Sequence, residues 1–175
     1  MDRVGRRGAA VLFGTAAVVF LLDRFSKIWA ERTLQDHPVD LIKGILTLRY
    51  TTNSGGAFSL GQSAPWLFAA FTLGVTILIA ATAFRHRGDL ASVALGLVLG
   101  GALGNLTDRI VRAPGLKGRV IDFVDLHVWP IFNAADAAIV SGAILLAWSS
   151  FRSQRGGDPA PTQPSGHEGT EPCDA

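Results

Sequence analysis

The stretch LASVALGLVLGGALGNLTDR, Leu90 to Arg109, decides the fold. Its first eighteen residues, Leu90 to Thr107, carry no charge, and it ends abruptly on Asp108 and Arg109. A bilayer core is crossed by a helix of roughly 20 mostly apolar residues, so this reads as a membrane span at 90–107. Three more stretches qualify on the same ground, at about 8–30, 64–84 and 131–151. The second is uncharged, the last contains one acid, Asp136, and the first carries Asp23, Arg24 and Lys27 in its second half. Composition agrees: of 175 residues 49% are hydrophobic and 17% charged, where a soluble domain usually has about 25% charged. Mean hydropathy is +0.33. The expected class is a membrane protein, mainly α, with four transmembrane helices.

Other classes drop out. The single cysteine, Cys173, excludes an internal disulfide, a CxxC redox motif and a thiolate zinc site. A net charge of +2 without a basic stripe argues against nucleic-acid binding. The first span has a basic start (Arg3, Arg6, Arg7), but no small-residue cleavage site follows a short apolar run, so a retained anchor is expected. Lys and Arg near span ends set orientation. Arg3, Arg6, Arg7, then Arg85 and Arg87, then Arg152 and Arg155 fall on one side, which places both termini in the cytoplasm. Segments 31–63 and 108–130 then face outward. Leu46 to Thr51 alternates apolar and polar residues as a half-buried strand does, followed by a turn at Asn53-Ser54-Gly55-Gly56. Arg119 to Val124 reads as a second short strand. The chain divides into a membrane domain, 1–151, and a polar tail, 152–175, expected to be disordered and cytoplasmic.

The acids stand in costly places. Asp23, Asp108, Asp122 and Asp136 lie inside or at the outer ends of spans, at one level, where charges are usually paired, hydrated or functional. Asp23 and Lys27 are four apart, acid first, the favourable order for an ion pair on a helix. Gly96, Gly100 and Gly104 form a doubled GxxxG, a close-packing face. Asn105, Asp108 and Arg109 follow on one helix face, either as a polar cap with an internal Asp–Arg contact or as part of a site. Asn133 and Asp136 have the spacing of a capping box, yet small neighbours (Ala135, Ala137, Ala138) leave room for another group. Asp122 sits in the apolar run Val120 to Val124. Two carboxylates sharing a site cannot both ionise easily, and such a pair suits a hydrolase in which one activates water and the other holds a proton. The histidines (His37, His86, His127, His167) offer no Ser/His arrangement, and adjacent Ser26 and Lys27 point apart on their helix.

Five motifs occur in order over about residues 20–140: Asp23-Arg24-Phe25-Ser26-Lys27, Asn53-Ser54-Gly55-Gly56-Ala57-Phe58, Gly100 through Arg109, Val120-Ile121-Asp122-Phe123, and Phe132-Asn133-Ala134-Ala135-Asp136-Ala137-Ala138-Ile139. Together they resemble the bacterial lipoprotein signal peptidases, the signal peptidase II family. The resemblance implies a four-helix aspartyl endopeptidase of the bacterial plasma membrane with a small extracytoplasmic β-cradle. Such an enzyme cuts prolipoproteins just before a cysteine that already carries diacylglycerol. It implies catalytic roles for Asp122 and Asp136, and substrate-binding or supporting roles for Asp23, Lys27, Asn53, Asn105, Asp108, Arg109 and Asn133. It further implies no metal or other cofactor, contact with membrane lipid, and inhibition by globomycin-type cyclic peptides. A monomer is expected. Two features depart from the family pattern: an insertion at Ala113 to Gly118, and the long tail. The competing reading is a proton- or cation-coupled transporter, since intramembrane acids also mark ion pathways, though no inverted repeat is visible. A metal site from Asp122, Asp125, His127 and Asp136 is conceivable by ligand type alone.

Overall fold

The structure, a computed structural model, describes residues 3–54, 65–83 and 89–155. The described residues form four α-helices: α1 (Arg3–Thr33), α2 (Pro65–Thr82), α3 (Asp89–Val111) and α4 (Ala134–Arg155). Among the described residues, three are long and apolar enough to cross a membrane, over Gly5–Thr33, Asp89–Val111 and Ala134–Phe151, and α2 contributes a shorter apolar stretch, Ala70–Thr82. Helices α1 and α3 overrun the apolar stretches read from sequence, α1 starting five residues before Gly8, while α2 stays within 64–84. Helix α4 begins at Ala134, three residues after 131, and continues to Arg155, past the expected tail boundary at 152. Hydropathy reports where lipid contact ends, whereas backbone hydrogen bonding carries the helix on into the polar flank. The tail from 156, the turn residues Gly55 and Gly56, and the basic pair Arg85 and Arg87 lie outside the described residues.

Helix α3 is the centre of the bundle. A Cβ on Gly101 would meet the Ala135 carbonyl of α4, and one on Gly104 would run into the Asp23 carboxylate of α1. The stripe Gly96, Gly100 and Gly104 therefore packs α3 on α1, and Gly101 packs it on α4, both at backbone distance with little room for any side chain. Leu12, Ala16, Ile79, Ala83, Leu95 and Leu99 form the apolar core among α1, α2 and α3. Outward faces are apolar as well: Val18, Leu22, Phe25, Ile77, Leu78, Ile144 and Trp148 are all exposed. In water such surface is costly, and in a bilayer it is the lipid contact.

Three strands form an antiparallel sheet in the order β1 (Val39–Ile42), β2 (Leu46–Asn53), β3 (Val120–Asp125). Strands β2 and β3 fall where the sequence pattern puts them. Strand β1 escapes that pattern because all four of its residues are exposed, so no alternation marks it. Register pairs Thr51 with Asp122 and Asn53 with Val120. Ile121 and Phe123 pack with Ala30 and Leu34 at the end of α1, and Trp29 meets Phe123 edge-on at 6.5 Å, which fixes the sheet over one end of the bundle. The insertion is a docked element: a 3-10 turn, Pro114–Leu116, leads to Gly118, whose N–H donates to the Arg109 carbonyl at 3.1 Å. A Cβ at Gly118 would strike the carbonyls of Asp108 and Arg109.

Candidate active site

Strand β3 and the first turn of α4 place Asp122 and Asp136 on one cavity of about 250 Å³, with Asn53, Asn105 and Arg109 also lining it. Asp122 points inward from a strand that is almost wholly buried, and is itself 2% exposed. Asp136 is held by the start of its helix. Asn133 caps α4: its Oδ1 accepts from the Asp136 N–H at 2.9 Å, and its own N–H donates to Asp136 Oδ2 at 3.3 Å. This is a capping box, and it also aims the carboxylate. The next free amide of the helix start, Ala135 N–H, donates to Asp23 Oδ1 at 3.0 Å, so a carboxylate from α1 completes the cap.

Asparagines bind the pair together. Asn133 Nδ2 donates to Asp122 Oδ1 at 2.6 Å and to the Ile121 carbonyl at 3.1 Å. Asn105 Nδ2 donates to Asp136 Oδ1 at 2.8 Å, and its Oδ1 accepts from Lys27 Nζ at 2.8 Å. Asn53, at the end of β2, hydrogen-bonds Asp122 through its side chain. Burial pushes the Asp122 carboxyl up to about 7, and the neighbouring Asp136 charge adds to the rise.

Behind this layer lies a buried ionic cluster. Lys27 Nζ sits 2.8 Å from Asp23 Oδ2 and 3.0 Å from Asp108 Oδ2, and all three side chains are 0% exposed. Asp108 also takes Arg24 at 2.5 Å and the Ile121 N–H at 3.3 Å. Arg112, beyond the predicted span, closes the cluster with a two-pronged contact to Glu31, both bonds at 2.9 Å.

The structure separates residues that spacing had grouped. Spacing puts Asn105, Asp108 and Arg109 on one helix face, as a polar cap with an internal Asp–Arg contact or as part of a site. Asn105 and Arg109 do line the cavity, but Asp108 turns to α1 and takes Lys27 and Arg24 instead. Buried Asp23, Lys27 and Asp108 stand behind the cavity wall, with no surface to offer a ligand. Arg109 is 7% exposed and its Nε has no hydrogen-bond partner among the described residues, which leaves a donor beside the cavity. The grouping of Asp125 and His127 with the two acids does not form. Asp125 pairs with Arg49 at 2.7 Å and His127 meets the Thr47 hydroxyl at 3.0 Å. Among the described residues no three His, Cys, Asp or Glu side chains converge as metal ligands.

Sequence reasoning missed the rim. After β3 the chain turns through His127, which takes a left-handed φ of 60° while its N–H is held by Asp125 Oδ1 at 2.8 Å. Trp129, Pro130, Ile131 and Phe132 then line the cavity. Phe132 returns to the sheet by pairing with Val124, through bonds of 2.9 and 3.1 Å. Asp125 before the turn and Pro130 after it were the available signals. A second apolar hollow, about 340 Å³, continues past Trp129 and Phe132 along Ala137, Val140 and Ser141 of α4, still bordered by Asp136.

A helical membrane bundle with a small sheet over one end, and a bracketed pair of carboxylates in a cavity beside it, defines a multi-pass membrane protein equipped for acid–base hydrolysis. Comparison makes this specific. The signal peptidase (SPase) II family matches residues 15–152. The chain is 43% identical over 150 residues to a lipoprotein signal peptidase of Streptomyces coelicolor, covering 85% of this chain and 74% of that one. It is 46% identical over 138 residues to one from Rhodococcus jostii, covering 78% and 70%. A solved structure described as a bacterial membrane enzyme superposes with a TM-score of 0.71 at 24% identity, covering 87% of this chain and 94% of that one. The chain belongs to the signal peptidase II family, and is a protease.

Proposed function

We infer that this chain is a membrane aspartyl endopeptidase that removes the signal peptide from diacylglyceryl-modified prolipoproteins, cutting just before the lipidated cysteine. The observation that carries the chemistry is the convergence of Asp122 and Asp136, from different elements, on one cavity next to the apolar bundle. A substrate whose acyl chains stay in the bilayer presents its scissile bond at the membrane surface, where a strand and a helix start deliver these two acids. The transporter reading has no support from the family relationship.

In this reading, the pair holds one proton between the two carboxyls. The ionised member removes a proton from water as the water oxygen attacks the scissile carbonyl carbon. The protonated member gives its proton to the carbonyl oxygen, forming a neutral gem-diol. As the C–N bond breaks, the first carboxyl passes its proton to the leaving nitrogen. The second recovers a proton from the gem-diol, so both acids return to their starting states. Arg109, with a donor to spare, and Asn53 hold the peptide backbone. Asn105, Asn133, Asp23, Lys27 and Asp108 support the pair. No cofactor enters the chemistry. The apolar hollow along α4 and the exposed apolar faces contact lipid. Globomycin-type cyclic peptides occupy the same cavity, and the working unit is a monomer. The membrane domain is 1–151, with 152–175 a cytoplasmic tail, both termini inside, and the site at the outer leaflet.

The test is incubation of the purified protein in detergent with a prolipoprotein in two forms, with and without the diacylglyceryl group. Release of the signal peptide from the modified form alone is expected. Equal cleavage of both forms would overturn the lipid requirement, and cleavage of neither by folded protein would overturn the function.

A further inference from the structure

The hydrogen bonds around the two acids can be read in one sense only, because most of their ends are groups that only donate or only accept. A lysine ammonium only donates, so the Asn105 atom 2.8 Å from Lys27 Nζ is the amide oxygen. The Asn105 NH₂ is thereby turned to Asp136 Oδ1, also at 2.8 Å. The other Asp136 oxygen faces the Asn133 backbone N–H at 3.3 Å, again a pure donor. Both oxygens of Asp136 face donors, an arrangement that favours its ionised form, since neither partner could accept a carboxyl proton. Asn133 is fixed in the same way. Its oxygen receives the Asp136 N–H, so its NH₂ must face the Ile121 carbonyl, Asn105 Oδ1 and Asp122 Oδ1. That occupies one oxygen of Asp122. Asn53 also hydrogen-bonds Asp122, but Asp122 is 2% exposed whereas Asp136 is only partly buried, so burial disfavours charge on Asp122 more than on Asp136.

We propose that Lys27, acting through Asn105, holds Asp136 as the ionised, water-activating member of the pair and leaves the proton to Asp122. Lys27 is a positioning residue: it is 0% exposed, lines neither cavity, and reaches Asp136 through the amide it orients. Reversing that amide would set its oxygen against the Asp136 carboxylate and its NH₂ against an ammonium, two repulsive contacts in a buried place. The charged groups facing Asp136 are Arg109 from α3 and Asp122 from β3; the first favours the same charge state and the second opposes it. The proposal rests on the peptidase reading for its catalytic consequence, but the division of charge stands on the hydrogen bonds and the burial of the two carboxyls.

Two experiments test it. The first is a kinetic cycle with Asn105→Leu, the charge-neutral pair Asp23→Asn with Lys27→Met, and all three together. Each arm is expected to lower kcat about ten- to a hundredfold, the worth of a hydrogen bond to a charged group, with KM nearly unchanged. The combination should be close to Asn105→Leu alone, because in this proposal Lys27 acts on Asp136 through Asn105. Losses that multiply, or full kcat in the Lys27 arm, would overturn the proposal. The second needs no substrate and only wild-type fold: carboxyl carbon NMR of protein labelled at aspartate, each signal identified by its loss in Asp122→Asn or Asp136→Asn. The Asp136 signal is expected at the carboxylate position at pH 6, with the Asp122 signal moving through an inflection near 7. The reverse assignment overturns the proposal. Failure of the chain to cleave any prolipoprotein would instead strike the peptidase reading and leave this titration to judge the charge division.

Discussion

At the scale of single residues, Asp122 carries the greatest consequence. An exposed aspartate ionises near 4, whereas burial and the Asp136 charge bring Asp122 up to about 7. The proposed catalytic pair is therefore expected to keep its proton up to neutral pH and lose it above, so cleavage should fall as pH rises through about 7, measured as kcat/KM. The same shift has a sign in stability. The folded chain keeps a proton that the unfolded chain releases near 4, so this contribution is full below about 4 and is lost as pH rises through about 7. Asp122→Asn, which cannot ionise, should thus be more stable than wild type at pH 8, by an unfolding free energy on the order of a few kcal/mol read from thermal unfolding, and show a smaller gain at pH 5. The two carboxylates were legible in sequence because an acid beside apolar residues is anomalous wherever it occurs. Their hydrogen-bond partners were only half legible. That Asn105 and Asn133 belong to the site followed from motif and spacing, but the coupling of Lys27 to Asn105 joins residues 78 apart and no local pattern encodes it.

The start of α4 shows two roles sharing one element. Asn133 supplies both the helix cap and a donor to Asp122. Asn133→Ala should cost about 2 kcal/mol or more in thermal unfolding, adding a lost cap to unsatisfied buried groups, and should also abolish cleavage. Asn133→Ser keeps a cap oxygen without the amide, so it should recover part of the stability and none of the activity. Close packing of α3 on α4 makes a sharper structural prediction. Gly101→Ala places a methyl group against the Ala135 carbonyl and Ile139, and a loss of about 1–3 kcal/mol is expected by thermal unfolding in detergent. The stripe Gly96, Gly100 and Gly104 announced the packing of α3 on α1 in sequence, since small residues at four-residue spacing have one strong structural use in a membrane helix, whereas Gly101, off that spacing, did not announce α4. Strand β1 gave no such notice, with four exposed residues and nothing to alternate. The docking of the 113–118 insertion was equally silent, because Gly118 reads as an ordinary loop glycine until the carbonyls beneath it are known.

For the whole molecule, the four-helix architecture was legible from hydropathy, and the sheet's position over the bundle was not. What fixes that position is Ile121 and Phe123 packing on Ala30 and Leu34, contacts between segments some ninety residues apart that only the tertiary fold creates. Arg7 of α1 lies 2.8 Å from Asp89 at the start of α3, so these helices begin at the same end of the bundle, as an up-down-up-down path through a membrane requires. With the basic flanks inside, a fluorescent protein fused to the C-terminus should fluoresce and an alkaline phosphatase fused there should stay inactive; the opposite pair of results would invert the topology. The assembled molecule's central claim is that Asp122 and Asp136 together cut a peptide bond at the membrane surface. The most direct measurement compares wild type with Asp122→Asn and Asp136→Asn on a diacylglyceryl-modified prolipoprotein, each protein first shown to be folded by its thermal transition. Cleavage by wild type, with both variants folded and inactive, is the expected result. Normal turnover by either folded variant would contradict the pair.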